Sequence, residues 1–120
     1  MVIDLLLKHT VQFKIVKPRK TKLGDFRAQN KHGKPQITIN GDLNPYSFLI
    51  TTLHEFAHLT TYLEYGHRVA PHGKEWKLHY TRLLVPVIDH SETPETLRAA
   101  LLKSTTNMKA CLLYTSDAAD

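Results

Sequence analysis

Between residues 11 and 40, three short segments alternate apolar and polar positions, which is the pattern of short, half-buried strands. The alternation occurs at Val11–Ile15, at Phe26–Gln29 and at Gln36–Asn40. The segment Asn30–Lys34 between the last two contains Asn and Gly, which are typical of a hairpin turn. Three short strands in succession predict a small antiparallel sheet, with Gln36–Asn40 as an edge that can align an extended peptide.

After residue 44 the apolar positions recur at helical spacing. Asn44-Pro45 supplies an N-cap followed by proline at the first helical position, and Gly66 is placed as a C-terminal cap. Pro86 should end the second helix. Helices are therefore predicted over Tyr46–Tyr65, Gly73–Leu84 and Thr93–Ser104. Strands followed by helices predict an α+β fold class.

The length of 120 residues predicts one domain, which we assign to residues 1–110. Residues 111–120 continue no periodic pattern and look like translated sequencing adapter, so we treat them as a non-native tail. The apolar run Val2–Leu7 contains Asp4 and lacks a basic leader, which favours part of a core helix over a signal peptide. Its abrupt start indicates that the native N-terminus lies upstream.

The composition is that of a globular protein, with 42% hydrophobic and 22% charged residues. No apolar run approaches the roughly 20 residues that a membrane span needs, so no membrane partner is expected. The single cysteine, Cys111, excludes an internal disulfide framework and a cysteine-based zinc ribbon, which favours a cytoplasmic location.

The formal net charge of +5 is concentrated in one segment. Five basic residues fall within nine positions and form a candidate contact for a nucleic-acid backbone: Lys14, Lys17, Arg19, Lys20 and Lys22. No aromatic stacking pattern accompanies them, which favours a solvated loop that keeps the protein soluble over a nucleic-acid contact.

The segment His54-Glu55-Phe56-Ala57-His58 has the form H-E-x-x-H and lies in the middle of the first predicted helix. Residues four apart share one helix face, so the two imidazoles can bind one zinc ion. Glu55 between them is placed to act on a water at the metal. The pattern predicts a hydrolytic zinc site, with His54 and His58 as ligands and Glu55 as the catalytic base.

A catalytic zinc usually takes a third protein ligand, which has to come from elsewhere in the chain. The metzincin pattern fails, because Thr61 and Glu64 stand where it needs Gly and His. Glu64 is also turned away around the helix axis. The following segment offers four candidates: His67, His72, Glu75 and His79. Glu75 would make a two-histidine, one-glutamate site, whereas His79 could support a ligand instead of binding the metal itself.

H-E-x-x-H followed by His72-Gly73-Lys74-Glu75-Trp76 resembles the SprT-like (Spartan-related) zinc metallopeptidase family. The segments Thr21–Arg27 and Asn40–Pro45 are similar to bacterial members, and the resemblance covers about residues 1–105. It implies a compact zincin-like domain with His72 as the third zinc ligand and Glu55 as the base. The C-terminal zinc ribbon of many relatives is not found here, so DNA engagement by that module does not carry over.

These observations predict a zinc-dependent peptidase that hydrolyses a protein or peptide substrate with a water activated by Glu55. DNA-associated proteins are one candidate substrate class. The competing hypothesis is a zinc-stabilised nucleic-acid-binding module with weak or no hydrolysis. A zinc hydrolase acting on non-peptide bonds fits the same ligand set.

Overall fold

In residues 11–106, three strands are followed by three helices. The computed structural model describes residues 11–106, so the predicted N-terminal core helix and the predicted tail at 111–120 lie outside the described residues. The elements are β1 Gln12–Val16, β2 Gly24–Arg27, β3 Gln36–Asn40, α1 Pro45–Tyr65, α2 Lys74–Asp89 and α3 Glu95–Thr106. The α+β class is confirmed, and β2 begins two residues before its predicted position.

The long helix α1 starts and stops where its capping residues predict. The Asn44 side chain accepts a hydrogen bond from the Ser47 N–H at 2.9 Å, and Pro45 occupies the first turn. Gly66 ends the helix with a φ of 65°, and its N–H donates to the Tyr62 carbonyl at 2.7 Å. All residues from 51 to 59 are buried, so this segment is enclosed by other elements on every side.

Helix α1 is the middle layer of the molecule. On one side Phe56 and Leu59 pack against Ile37 and Ile39 of β3, and all four side chains are buried. On the other side α1 meets α2 and α3 in a cluster formed by Leu53, Ala57, Trp76, Tyr80, Leu84, Val87, Leu97 and Leu101. Two apolar clusters therefore hold the centre of α1 between the sheet and the other two helices.

The sheet is mixed, and the prediction of an antiparallel sheet was wrong. Its strand order is β1–β3–β2, with β1 parallel to β3 and β2 antiparallel to β3. The prediction of Gln36–Asn40 as an edge was also wrong, since this strand is central and has neighbours on both sides. Alternation indicates which face of a sheet a side chain occupies, but it does not indicate which strands are neighbours. The prediction paired the strands in the order of the sequence, which the pattern does not require.

The side chain of Asn40 fixes the unexpected topology. The loop of residues 17–23 passes over the end of β3, which lets β2 return on the far side. The Asn40 amide donates to the Arg19 and Lys22 carbonyls at 3.3 and 2.7 Å. In return, Arg19 donates to the Asn40 side-chain oxygen at 2.9 Å and to the Thr38 hydroxyl at 2.8 Å. These bonds hold the crossing loop against the central strand.

Helix α2 continues through Pro86 to Asp89, beyond the end predicted at Leu84. An internal proline costs about 3 kcal/mol because it removes one helical hydrogen bond and crowds the preceding turn. Val87 is buried in the helical cluster, which offsets part of this cost. Thr93 and Arg98 also donate to the Val87 and Ile88 carbonyls at 2.6 and 2.7 Å. In residues 11–106 no helix combines the length and apolar character needed to cross a membrane.

Candidate metal centre

Three histidine rings converge between α1 and the turn that precedes α2. His54 and His58 stand one turn apart on α1, and His72 follows the chain reversal after Gly66. The Nε2 atom of His72 lies 3.0 Å from that of His58 and 3.1 Å from that of His54. The structure therefore brings together the two histidines of the motif and one of the four candidates for the third position.

The backbone of His72 adopts a left-handed conformation with a φ of 62°. His72 directly precedes Gly73, the N-cap of α2. A left-handed residue with a side chain costs about 1–2 kcal/mol, although histidine tolerates it better than β-branched residues. The left-handed conformation turns the imidazole of His72 toward α1. Backbone strain of this kind is concentrated at functional sites.

The ring of Trp76 packs against all three imidazoles. The Trp76 ring centroid lies 4.8 Å from that of His54, 5.5 Å from that of His58 and 4.9 Å from that of His72. Tyr80 stacks on Trp76 at 4.9 Å, and both residues are fully buried. Both belong to the helical core, and the Trp76 ring also limits how the histidine rings can turn.

Burial keeps these histidines neutral. Desolvation, followed by repulsion from His58 and His72, lowers the pKa of His54 from 6.5 to about 2. Desolvation and then His72 lower the pKa of His58 to about 3, against a smaller raising effect of Asp25. Desolvation also lowers the pKa of His72. A neutral imidazole is the form that binds a metal, so little proton release has to accompany binding near pH 7.

The spacing of the three Nε2 atoms fits a shared ion. A tetrahedral metal with bonds of about 2.0–2.1 Å sets its nitrogen ligands about 3.3–3.4 Å apart, close to the distances found here. Within the described part of the chain, these three side chains form the group of potential ligands close enough to hold a metal ion. His54, His58 and His72 can therefore bind a metal ion together.

Glu55 is fully buried and faces the outer strand β2. A Cβ atom built on Gly24 would lie 3.1 Å from Cγ and 3.1 Å from Oε2 of Glu55, and 2.8 Å from Cγ2 of Thr51. The strand can approach Glu55 this closely because residue 24 has no side chain. Sequence reasoning missed this role of Gly24, since its tight neighbours lie on a helix that starts more than twenty residues later.

The other candidates for the third ligand lie elsewhere. His79 and the exposed Glu64 hydrogen-bond to each other at 2.7 Å, tying α2 to the end of α1. The expectation that Glu64 points away from the site agrees with this contact. Glu75 and the exposed His67 stand outside the group of three ligands. The His67 ring instead lies 5.0 Å from that of Tyr62.

The predicted basic segment divides into two groups. Lys14, Lys17 and Lys20 are exposed. Arg19 holds the crossing loop on β3, and Lys22 pairs with Asp25 at 3.1 Å. Two of the five predicted contacts thus have structural partners within the chain, while the other three present their charge to solvent.

A cavity of about 280 Å³ opens beside His58, between the end of β2 and the last turn of α1. Its walls include Phe26, whose ring stacks against the His58 ring at 6.3 Å. The sequence did not predict this cavity. The alternation at Phe26 and Ala28 indicated one shared face, but the opposite wall comes from residues 61–71, which are distant in sequence.

Comparison with known proteins agrees with this arrangement. The chain is 54% identical over 46 residues to Protein SprT of Vibrio parahaemolyticus; the match covers 35% of this chain and 27% of that protein, so only about a quarter of the relative is represented. No solved structure matches the chain significantly. The model of the SprT-like family matches residues 4–97, a span that includes the motif, His72 and the whole sheet, and the chain therefore belongs to the SprT-like family.

Proposed function

We propose that this protein is a zinc-dependent peptidase. The observation that carries the proposal is the convergence of three neutral imidazoles, two of which lie on the same helix as a buried carboxylate. A metal site that only stabilises the fold has no need of an acid–base residue next to its ligands. The three-histidine donor set suits zinc and leaves a coordination position for the reacting molecules.

Each residue of the site has a separate task. His54, His58 and His72 would hold the zinc ion, which when bound supplies Lewis-acid polarisation of the scissile carbonyl. Glu55 accepts a proton from the attacking water and delivers it to the nitrogen of the leaving amine. The burial of Glu55 keeps bulk water away from its carboxylate.

The substrate would lie along β2, in place of the strand that the sequence favoured. β2 is an outer strand of the described sheet, and its Gly24 end passes Glu55 while Phe26 packs on His58. A peptide in extended form that follows this strand is led past both the base and a metal ligand. Substrate chemistry beyond a peptide bond, including association with DNA, belongs to the proposal.

The first experiment compares wild type with Glu55→Gln. Zinc content is measured on the purified proteins, and cleavage is measured on a broad mixture of unfolded proteins with and without DNA. Glu55→Gln should keep its zinc and lose cleavage by about 10²-fold or more, because only proton transfer is removed. Glu92→Gln makes the same chemical change at an exposed position and should remain active. Equal cleavage by wild type and Glu55→Gln would rule out this mechanism.

The third ligand is tested separately. His72→Ala should sharply reduce zinc occupancy, whereas Glu75→Ala and His32→Ala should leave it near that of wild type, since neither residue belongs to the group of three. Zinc retained by His72→Ala and lost by Glu75→Ala would assign the ligand to Glu75 instead.

A nucleic-acid-binding module is the second candidate function, and the exposed side chains of Lys14, Lys17 and Lys20 favour it. Replacing these three with Ala should weaken DNA binding and reduce its dependence on salt, because each phosphate contact releases counterions. This candidate gains support if wild type binds DNA in this way but cleaves nothing. Unchanged DNA binding by the triple variant would remove the segment from consideration.

A further inference from the structure

The cavity beside His58 is positioned to receive part of a substrate. One wall is formed by Phe26 and Ala28 at the end of β2, and the other by the last turn of α1 and the reversal that follows. His58 and Trp76 line it as well, so it is continuous with the candidate metal centre. A ligand in the cavity would therefore touch one of the metal ligands.

The lining selects for apolar groups. Phe, Ala, Val, Pro and Trp residues make up most of it, and within the described chain it has no Lys, Arg, Asp or Glu. Its polar side chains are those of His58, Thr61, Tyr62 and His67, and the Thr61 hydroxyl already donates to the Ala57 carbonyl at 2.6 Å. A charged side chain would lose its water here without gaining an opposite charge, which is strongly unfavourable.

The volume limits the size of the occupant. A cavity of about 150 Å³ suffices for a benzene molecule. The cavity of about 280 Å³ therefore has room for one large side chain, such as that of Phe, Leu or Met. Alanine or glycine would leave most of it unfilled and would gain little from entering it.

The direction of β2 relates the cavity to the bond that would be cleaved. Gly24 lies against Glu55, Phe26 against His58, and Ala28 at the cavity. These residues alternate along the strand at about 6.6 Å per pair of residues. In a peptide that follows β2, one side chain close to the bond facing Glu55 would therefore point toward the cavity.

We propose that this cavity is the side-chain pocket of the enzyme and selects a large apolar residue at one fixed position beside the cleaved bond. The inference rests on the proposed peptidase function and deepens it by naming a substrate class. Ala28 is the residue to alter, because it lines the pocket without touching the three imidazoles in any contact described above.

The test determines cleavage sites in a peptide mixture by mass spectrometry for wild type, Ala28→Leu and Gln29→Leu. Wild type should prefer Phe, Leu or Met over Ala at one position by about tenfold or more. Ala28→Leu fills the pocket and should reduce that preference severalfold. Gln29→Leu adds the same side chain at the next, exposed position outside the pocket and should leave it unchanged.

A binding measurement separates this proposal from the proposed function. Zinc-loaded Glu55→Gln is titrated with two peptides, one with Phe and one with Asp at the selected position. If wild type cleaves nothing, the Phe/Asp pair is placed at each position of the peptide in turn. Tighter binding of a Phe peptide, lost when Ala28→Leu is added, supports the pocket even without turnover. Cleavage that depends on Glu55 but shows no apolar preference would refute the pocket alone. Absent cleavage together with equal binding of the two peptides would overturn both proposals.

Discussion

Gly24→Ala should destabilise the protein through one crowded contact. The added Cβ would lie 2.8 Å from Cγ2 of Thr51, whereas carbon–carbon contacts are optimal at about 3.5–4.0 Å. The approach is therefore about 0.7 Å too close, and Glu55 Cγ at 3.1 Å blocks a simple shift of the strand along the helix. Overpacking of this kind costs about 1–3 kcal/mol of the free energy of unfolding.

The measurement is urea unfolding of the zinc-loaded protein, followed by the fluorescence of its single tryptophan, Trp76. A loss of 1 kcal/mol corresponds to roughly 4 °C in Tm for a domain of this size. The proposed peptidase activity should fall by more than the stability change explains, since a displacement of Glu55 by about 1 Å can cost roughly 10²-fold in rate. Zinc content should not change, because the three atoms nearest to the new methyl group belong to Thr51 and Glu55 and not to a candidate ligand.

Two further variants make the reasoning refutable. Thr51→Ser removes the methyl group that is too close, so the double variant should recover part of the lost stability, with a coupling energy of about 0.5–3 kcal/mol. Gly41→Ala is the matched control, because its added Cβ meets the exposed side chain of Ile15, which can move away. A Gly24→Ala variant within about 0.5 kcal/mol of wild type, or no recovery with Thr51→Ser, would refute the packing explanation.

Two other predictions concern stability. In the zinc-free protein, the free energy of unfolding should fall as the pH drops below 6.5, because unfolded His54 and His58 take up protons while the folded forms stay neutral down to pKa values of about 2 and 3. Below pH 6.5, each of these histidines should lower the free energy of unfolding by about 1.4 kcal/mol per pH unit. Urea unfolding between pH 7 and 5 measures this slope, and a flat profile would contradict the burial argument. Asn40→Ala should cost about 2–4 kcal/mol in the same assay at pH 7, because it leaves the Arg19 and Lys22 carbonyls without their amide donor; a cost under 1 kcal/mol would show that the crossing loop is held by other contacts.

The parts of the structure that depend on local sequence were predictable. The capping residues Asn44 and Gly66 determine where α1 begins and ends, and the four-residue spacing of His54 and His58 determines that they share a face. The location of His72 was one of several open choices until the family resemblance was considered. Its left-handed backbone leaves no pattern in the sequence.

The parts that depend on distant contacts were not predictable. The order of the strands follows from the bonds of Asn40 to a loop about twenty residues earlier, and no alternation pattern records such a contact. Helix α2 passes Pro86 because Val87 has a buried place to occupy, which is a property of the packed molecule. The close contact of Gly24 with Thr51 and Glu55 likewise forms only once β2 lies against α1, and so does the cavity beside His58.

The central place of β3 has a consequence for how the chain folds during synthesis. β3 is the last of the three strands to leave the ribosome, yet it is the hydrogen-bonding partner of both earlier strands. The sheet described here therefore cannot form until β3 has emerged, and the helix that carries two of the three candidate metal ligands follows at once. The nascent chain must hold two strands without their native partners until that point, which is the interval in which wrong pairings with other chains compete.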